Sequence, residues 1–448
     1  MLKLNLCRGI SRKFFYEANG LALSAAMLLF FSCNDEIPNS NEPEPEDVSV
    51  KEYAFINPDD TLNISLCEAE DIATLFMDEL GEIDNTFKSA GMHHNSRKTF
   101  VIPDDNLEPA VYAINLDPDG FCIVAATKKT ETILAYSDQG KFDPDNLPLG
   151  VADWLCEKIE VIQDVRNDAS ISVEKPSNSQ NKLKPQSSNR IDDASGNYRT
   201  VTTTYGPLLK TTWGQGYPYN FYCPIKCDNG DHAAAGCVAI AAAQIVKYWE
   251  PQMFYNFYPF SWKDMPNRAW GAESIEYISK NNGYISMAYL ISEIGNQLNM
   301  DYGCKESGAK TSDIPEVLSR KYEFYSCGNY QEMTNSKAQS KIIDNIKNKQ
   351  PVIMNGKSEK KWLGLYYSGG HAWVCDGYKE IKHIYSLGGS IYYDHLFHMN
   401  WGWDGKYNGW YTIGLDFVEG DYNFTGNDGK YVYKRGYITD IKASKYGK

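Results

Sequence analysis

Several classes of protein are excluded by what this 448-residue sequence lacks. It has no run of Lys and Arg outside its extreme N-terminus, and its formal net charge is −14, so nucleic acid is not expected as a partner. Its 11 cysteines are too few to form a disulfide framework in so long a chain. No group of Cys and His has the spacing of a tetrahedral metal site, and we therefore predict neither a metal nor an organic cofactor.

Long apolar runs are also scarce. The one candidate, residues 20–32, follows a basic segment and is too short for a membrane span, as in a bacterial export signal. Leu29-Phe-Phe-Ser-Cys33 resembles a lipobox, which implies cleavage before Cys33 and acylation of that residue; an ordinary secretory signal is the alternative. We predict a signal peptide over 1–32 and an acidic, Pro-rich tether over 33–47. The precursor is then an exported lipoprotein at the outer membrane or cell surface, released from its anchor by later processing.

The remaining chain divides by composition into two predicted domains. Residues 48–168 have the pattern of a small α+β domain, with helices over 66–85 and 149–165 and paired strands over 110–115 and 120–126. Residues 169–200 are rich in Ser, Asn, Lys and Gln, which is typical of a linker open to proteolysis. A second domain is predicted over 201–448. Each of these two segments has more than about 100 residues and is therefore long enough to fold as a domain of its own.

The second domain contains an alanine-rich stretch that reads as a buried helix. It runs Ala233-Ala-Ala-Gly-Cys237-Val-Ala-Ile-Ala-Ala-Ala-Gln-Ile-Val-Lys-Tyr-Trp249, with no Pro or Gly after Gly236. Cys237 then lies at the helix N-terminus, where free N–H groups and the helix dipole favour the thiolate, which is the nucleophilic form. On this stretch alone, a small buried hydrophobic cysteine is the alternative.

Two later motifs favour the nucleophile. Ser368-Gly-Gly-His371-Ala-Trp-Val-Cys places a histidine at the mouth of a strand, and His398-Met-Asn400-Trp401-Gly-Trp403 places an amide beside two tryptophans. A cysteine peptidase needs a thiol, an imidazole and a third group that orients the imidazole. His371 follows Cys237 by 134 residues (371 − 237 = 134) and Asn400 follows it by 163 (400 − 237 = 163). The order and spacing are close to those of papain-like enzymes.

Acyl transfer by a cysteine peptidase also needs a donor to the oxyanion, and a candidate lies before Cys237 in the sequence. The segment Leu208-Leu-Lys-Thr-Thr-Trp213-Gly-Gln215-Gly-Tyr-Pro-Tyr-Asn220 carries the candidate, Gln215. Its side-chain amide and the backbone N–H of Cys237 would supply the two donors that acyl transfer requires. A plain turn residue is the alternative for Gln215.

These motifs together resemble the streptopain family of papain-fold cysteine peptidases, from about Leu208 to the C-terminus. Phe121-Cys-Ile-Val-Ala and Ile133-Leu-Ala-Tyr-Ser in the first domain resemble that family's propeptide. The resemblance implies that Cys237 is the nucleophile, His371 the general base and acid, and Gln215 the oxyanion donor. It also implies that Asn400 orients the histidine and that Trp401 and Trp403 cover this pair.

The same resemblance extends to the substrate groove. Asn299-Met-Asp-Tyr-Gly303 with Ser307 and Gly308 is similar to the groove wall, and Gly370 to the backbone contact with the substrate. The sequence departs from the family where a groove serine is replaced or shifted, to Ser307 or Gly308. It departs again over 419–429, where a Gly-rich loop is shortened. Both departures concern specificity rather than chemistry.

The other cysteines receive structural predictions. Cys223 and Cys227 flank Pro-Ile-Lys at a spacing that fits a disulfide or, less well, half of a zinc site. Cys304, Cys327 and Cys375 are expected to be buried.

We therefore expect an α+β protein with a papain-like cysteine peptidase domain behind a small propeptide domain. Its predicted partners are protein or peptide substrates and its own propeptide, acting as an intramolecular inhibitor. An acyltransferase or amidase with the same dyad is one alternative. A catalytically silent surface binding protein on this fold is another.

Overall fold

The structure is a computed structural model that describes residues 62–84, 98–167, 198–225, 227–251, 260–269, 275–333, 336–358, 361–362, 365–366, 370–385, 391–413 and 433–444. The predicted signal peptide, tether and shortened loop over 419–429 lie outside the described residues, as does most of the predicted linker. The described chain forms two compact units. The first contains the described residues of 62–145, 155–199 and 385–392, and the second contains those of 146–154, 200–384 and 393–444.

The first unit is an antiparallel sheet with helices. Its four strands lie in the order β1–β2–β3–β4 and are, in that order, Thr99–Pro103, Pro109–Asn115, Phe121–Ala125 and Ile133–Ser137. Its helices are Leu66–Asp84 and the part of Leu149–Asn167 that follows Trp154. The turn between β2 and β3 needs Gly120, because the φ angle there is +94° and an added β-carbon would lie 2.5 Å from the Ser137 carbonyl oxygen. The helix and strand predictions for this region are confirmed to within a few residues.

The second unit combines helices with a larger sheet. Its helices of eight or more residues are Cys237–Trp249, Asn282–Gln297, Ile314–Lys321 and Ser336–Lys347, and a short helix spans Ile275–Lys280. Its strands are β5 Tyr198–Tyr205, β6 Gln331–Glu332, β7 Val352–Ser358, β8 Lys361–Trp362, β9 Leu365–Tyr366, β10 Gly370–Tyr385, β11 Ile391–Asn400, β12 Gly409–Tyr411 and β13 Tyr433–Ile438. The helices and antiparallel pairings confirm the predicted α+β class.

The sheet of the second unit brings the later motifs together. Its strands follow the order β12–β11–β10–β7–β13–β6, β5 pairs with β10, and β8 pairs with β9 apart from them. His371 is the second residue of β10 and pairs with Gly356 on β7. Asn400 is the last residue of β11, the other neighbour of β10. Two residues that are distant in sequence therefore lie on adjacent strands.

The alanine-rich stretch forms the central helix of this unit, as predicted. It begins at Cys237, ends at Trp249, and is buried from Cys237 to Val246. Small side chains let it pack closely against the helix Asn282–Gln297. Alanine thus favours formation of the helix and also permits close packing, which removes most of the helix surface from water.

The cysteine pairing differs from the expected one. Cys227 is bonded to Cys304, and Cys223 is a buried free thiol. Sequence spacing favoured the near neighbour, whereas the fold brings the loop after Asn299 beside Cys227. The expected burial holds for Cys375, holds only in part for Cys327, and is wrong for Cys304, which is exposed. None of the helices in the described part of the chain combines the length and apolar composition that a membrane crossing needs.

Candidate active site

Cys237 begins its helix through a glycine that no other residue could replace without strain. Gly236 has a φ angle of +88°, and a β-carbon there would lie 2.7 Å from the Met300 methyl carbon and 3.1 Å from the Ser307 carbonyl oxygen. Gly236 also has no side chain with which to cap the helix. The N–H groups of the first turn therefore remain directed at the space around the Cys237 sulfur.

The sulfur of Cys237 touches the start of β10. The Ala372 N–H donates to Sγ at 3.4 Å, and Sγ lies 3.9 Å from the Gly370 carbonyl oxygen. Burial raises the pKa of the Cys237 thiol, and the bonds from the backbone N–H groups of Ala372, Val238 and Cys237 itself only partly offset that effect. The sulfur is consequently a neutral thiol at neutral pH in this structure.

His371 lies between the two residues that touch this sulfur, but its imidazole is directed elsewhere. Nε2 is 2.9 Å from the Trp401 carbonyl oxygen, which makes Nε2 the protonated nitrogen. The ring is buried among Trp373, Trp401 and Trp403. Burial lowers the pKa of His371, against smaller raising effects of the Trp401 bond and the Asp153 charge. Among the described residues, no hydrogen bond joins His371 to Cys237 or Asn400.

The segment 146–154 of the same unit holds the imidazole in this position. A β-carbon added at Gly150 would lie 2.5 Å from Cδ2 of His371 and 3.0 Å from the Trp401 ring. At the ends of the segment, Tyr407 donates to the Asn146 carbonyl at 3.2 Å, and the Trp154 indole donates to the Thr412 carbonyl at 2.8 Å. Gly150 therefore occupies space next to the imidazole that a larger residue could not fill.

Asn400 is buried and its side-chain amide is fully engaged. Nδ2 donates to the Thr211 carbonyl at 2.7 Å and to Gln244 Oε1 at 3.2 Å. Oδ1 accepts from the Gly402 N–H at 3.3 Å and from Gln244 Nε2 at 3.3 Å. Trp401, its neighbour, is 1% exposed and packs edge-to-face on Tyr411. The predicted contact between Asn400 and the imidazole is not formed in this arrangement.

Gln215 is hydrogen-bonded through its backbone to the chain just before Cys237. Its carbonyl accepts from the Ala235 N–H at 2.9 Å, which ties its segment to the backbone two residues before Cys237. Its side chain is half-buried. The Gln215 backbone is therefore held close to the start of the helix.

The three predicted substrate-binding residues have different environments. Ser307 is buried, and its hydroxyl donates to the Ala234 carbonyl at 2.6 Å and accepts from the Gly303 N–H at 3.0 Å. Gly308 is exposed and exchanges two backbone hydrogen bonds with Asp301. Gly370 is exposed at the start of β10, with its carbonyl beside the Cys237 sulfur. Gly308 and Gly370 therefore present backbone at the surface, whereas the Ser307 hydroxyl supports the chain before Cys237.

Sequence reasoning did not single out Gly150, Thr211 or Gln244. Gln244 had a usable signal, since it is polar within a buried apolar helix and follows Cys237 by two helical turns. Gly150 and the Thr211 carbonyl carried none, because their roles depend on tertiary contacts. In the described residues, no group of three or more His, Cys, Asp and Glu could hold a metal ion.

Comparisons with known proteins identify relatives of both parts of the chain. The profile of the Peptidase C10 family matches residues 213–411, and that of the Spi protease inhibitor family matches residues 62–162. Streptopain of Streptococcus pyogenes is 24% identical over 340 residues, which cover 68% of this chain and 73% of streptopain. A thiol protease/hemagglutinin of Porphyromonas gingivalis is 23% identical over 352 residues, which cover 71% of this chain and 36% of that protein.

A solved structure shares the fold. A fragment of prointerpain A from Prevotella intermedia aligns with a TM-score of 0.52 at 19% identity, covering 79% of this chain and 100% of the fragment. The inhibitor-type profile precedes the peptidase profile, in the predicted order. The expected fold, a papain-like α+β domain behind a propeptide domain, is thereby confirmed.

In the full-length chain, we expect iodoacetamide to alkylate Cys237 slowly near neutral pH, because burial raises the pKa of its thiol above the ordinary value of 9.0. Less than about 1% of such a thiol is thiolate at pH 7. The rate should therefore rise with pH and reach no plateau below about pH 9. Peptide mapping by mass spectrometry measures the rate at Cys237, with the buried Cys375 as internal reference. A rate already maximal at pH 6 would contradict the neutral-thiol state.

Proposed function

Since the chain belongs to the peptidase C10 family, we propose that it is the zymogen of an exported endopeptidase whose reaction is performed by Cys237 and His371. One observation supports this pairing most directly. The Cys237 sulfur contacts the Gly370 carbonyl and the Ala372 N–H, the two backbone groups that flank His371. A rotation of the histidine side chain, with little backbone movement, is then enough to bring its imidazole to the sulfur.

In the proposed reaction, His371 takes the proton of Cys237, and the thiolate attacks the carbonyl carbon of a peptide bond. The Cys237 N–H and the Gln215 side chain stabilise the oxyanion. The imidazolium then gives its proton to the leaving amine, and a thioester with Cys237 remains. Water, deprotonated by His371, hydrolyses this thioester and restores the thiol. Asn400 accepts a hydrogen bond from the imidazole and holds its orientation.

The substrate is proposed to lie along the exposed backbone near the catalytic pair. Gly370 carries its carbonyl beside the sulfur, and Gly308 belongs to a loop whose other members support the chain before Cys237. Glycine at both places leaves room for a peptide to approach the backbone. Ser307 acts in this proposal through the loop, since its hydroxyl is already bonded on both sides.

Latency is proposed to arise from the segment 146–154, which keeps the imidazole on the Trp401 carbonyl. The Spi-type inhibitor match ends at residue 162 and so includes this segment. Cleavage within 169–200, which holds Lys182, Lys184 and Arg190, would leave the inhibitor domain bound only non-covalently. The effective concentration set by the tether is then lost, so inhibition falls on dilution.

Export and lipid anchoring form a separate part of the proposal. The basic segment, the short apolar run and Leu29-Phe-Phe-Ser-Cys33 support a lipoprotein signal, and the acidic tether supports display at the outer membrane or cell surface. Because Cys33 precedes the linker, the processed peptidase would carry no lipid and would be released.

Cys237→Ala should abolish hydrolysis of peptide substrates, by at least about a thousandfold, because it removes the nucleophile. The fold should remain, since only a sulfur is lost from a buried helix start. Cleavage of a fluorogenic peptide, with labelling by an epoxide probe, measures the effect. Cys375→Ala, which removes another buried thiol, is the matched control. Undiminished turnover by folded Cys237→Ala protein contradicts the proposal, and peptide-library products distinguish hydrolysis from acyl transfer.

Gly150→Ala should raise the activity of the uncut chain by roughly tenfold, because the new methyl group overlaps the imidazole and overpacking costs about 1–3 kcal/mol. Alanine also favours a helix over glycine, so the change does not act by melting the helix at 149–167. The comparison is made on chain that electrophoresis shows to be uncut before and after the assay. Leu149→Ala, at an exposed neighbouring position, is the control. Uncut wild type as active as processed enzyme contradicts the proposed latency.

Metabolic labelling with a palmitate analogue should tag the full-length protein in a bacterial host, and Cys33→Ser should remove the tag while the protein is still made. Cys7→Ser, at the other cysteine near the N-terminus, is the control and should keep the tag. An untagged wild type assigns residues 1–32 to an ordinary secretory signal.

A further inference from the structure

Gln244 is a polar side chain in the most apolar of the described helices. It is 0% exposed and lies among alanine, isoleucine and valine on the helix that begins at Cys237. Burying an amide without hydrogen bonds costs several kcal/mol, so its presence calls for partners. Each of those partners belongs to a segment that carries a predicted catalytic residue.

The hydrogen bonds of Gln244 join three segments. Its Oε1 accepts from the Trp213 N–H at 3.2 Å, two residues before Gln215. Oε1 also accepts from Asn400 Nδ2 at 3.2 Å, and Nε2 donates to Asn400 Oδ1 at 3.3 Å. The two amides thus form a reciprocal pair. One side chain links the nucleophile's helix, the oxyanion segment and the end of β11.

Two backbone groups determine which way both amides face. The Trp213 N–H requires an acceptor, which places Oε1 of Gln244 toward it. The Thr211 carbonyl requires a donor, which places Nδ2 of Asn400 toward it at 2.7 Å. Oδ1 of Asn400 is then directed toward the Gly402 N–H. The oriented amide thus keeps Oδ1 as its acceptor atom, held by the Gly402 N–H and Gln244 Nε2, and an acceptor is what an imidazole N–H needs.

We propose that Gln244 is a positioning residue of this peptidase, which holds the Asn400 amide as an acceptor for the imidazole N–H of His371. When His371 leaves the Trp401 carbonyl, its N–H needs a new acceptor. Oδ1 of Asn400 provides it without turning, in exchange for the bond from the Gly402 N–H, because Gln244 and Thr211 fix the amide plane. The inference rests on the proposed function, since it acts through Asn400 on the Cys237–His371 pair.

A core-packing role alone would have other consequences. Substitution of a residue that only packs the core would change the amount of folded protein, and its effect on kcat would be the same whether residue 400 is Asn or Ala. A positioning residue affects kcat through Asn400, with little change in KM. The test is therefore a double-mutant cycle on Gln244 and Asn400.

The variants are Gln244→Met, Asn400→Ala and their combination in the full chain, processed by a trace of wild-type enzyme and normalised by active-site titration. Gln244→Met keeps the volume and removes all three bonds. We expect it to lower kcat between about 3-fold and 100-fold, as for coupled residues, with KM within about twofold. In the Asn400→Ala background, the same substitution should change kcat less than about threefold. Gln339→Met, at another buried glutamine of this unit, is the control.

Gln244→Glu gives a second test, which can be made even if the Gln244→Met protein does not fold. Its carboxylate would face the acceptor Oδ1 of Asn400, whereas its protonated form can donate to that atom as the amide does. Burial raises the pKa of a carboxyl group. We therefore expect kcat, relative to wild type, to be nearly normal at low pH and to fall as pH rises.

The outcomes separate the inference from the proposed function. Wild-type kcat in folded Gln244→Met protein, or an equal loss in the Asn400→Ala background, overturns the role of Gln244. If Gln244→Met does not fold, a pH-independent Gln244→Glu ratio overturns it. Hydrolysis retained by Cys237→Ala instead overturns the proposed function itself.

Discussion

The close backbone packing around Gly236 is the constraint on which the catalytic unit depends. The chain before Cys237 is held on one side by the Gly303 carbonyl, which accepts from the Ala234 N–H at 3.0 Å, and on the other by the Gln215 carbonyl. Only a residue without a β-carbon fits between Met300 and the Ser307 carbonyl. The position and direction of the helix are therefore set before its first turn begins, and with them the aim of the Cys237 N–H. The disulfide between Cys227 and Cys304 joins the loop that contains Gly303 to the chain that leads into Cys237.

Burial shifts the pKa values of Cys237 and His371 in the directions that favour their neutral forms. It raises the pKa of the Cys237 thiol and lowers that of the His371 imidazole, so both groups are neutral near pH 7. A neutral pair has no charge attraction to hold the ring on the sulfur, and the Nε2–H of His371 donates a hydrogen bond to the Trp401 carbonyl instead. In the proposed latency, the inactive and active arrangements differ in the partner of one imidazole.

Sequence reasoning reached the fold and its helices because their signals are local. Alanine composition and the absence of breakers predicted the helix from Cys237 to Trp249, and alternation around Asp117-Pro-Asp-Gly120 predicted the hairpin of β2 and β3. The partner of His371 was not predictable, because it depends on Gly150, more than 200 residues earlier. The partner of Cys227 was missed for the same reason, since spacing along the chain favoured Cys223. Contacts that form only when distant segments pack together leave no periodic pattern in a single sequence.

The alanine content of the helix that begins at Cys237 and the polarity of Gln244 have one physical origin. Small side chains let the Thr211–Trp213 backbone and the end of β11 approach the helix closely, and that approach removes water from their polar groups. The Trp213 N–H and the Asn400 amide then need a partner from within the protein. An alanine offers none and a longer charged side chain would add a buried charge, whereas a glutamine offers a donor and an acceptor on one planar group. A neutral amide is thus the side chain that this close packing requires, two turns below the nucleophile.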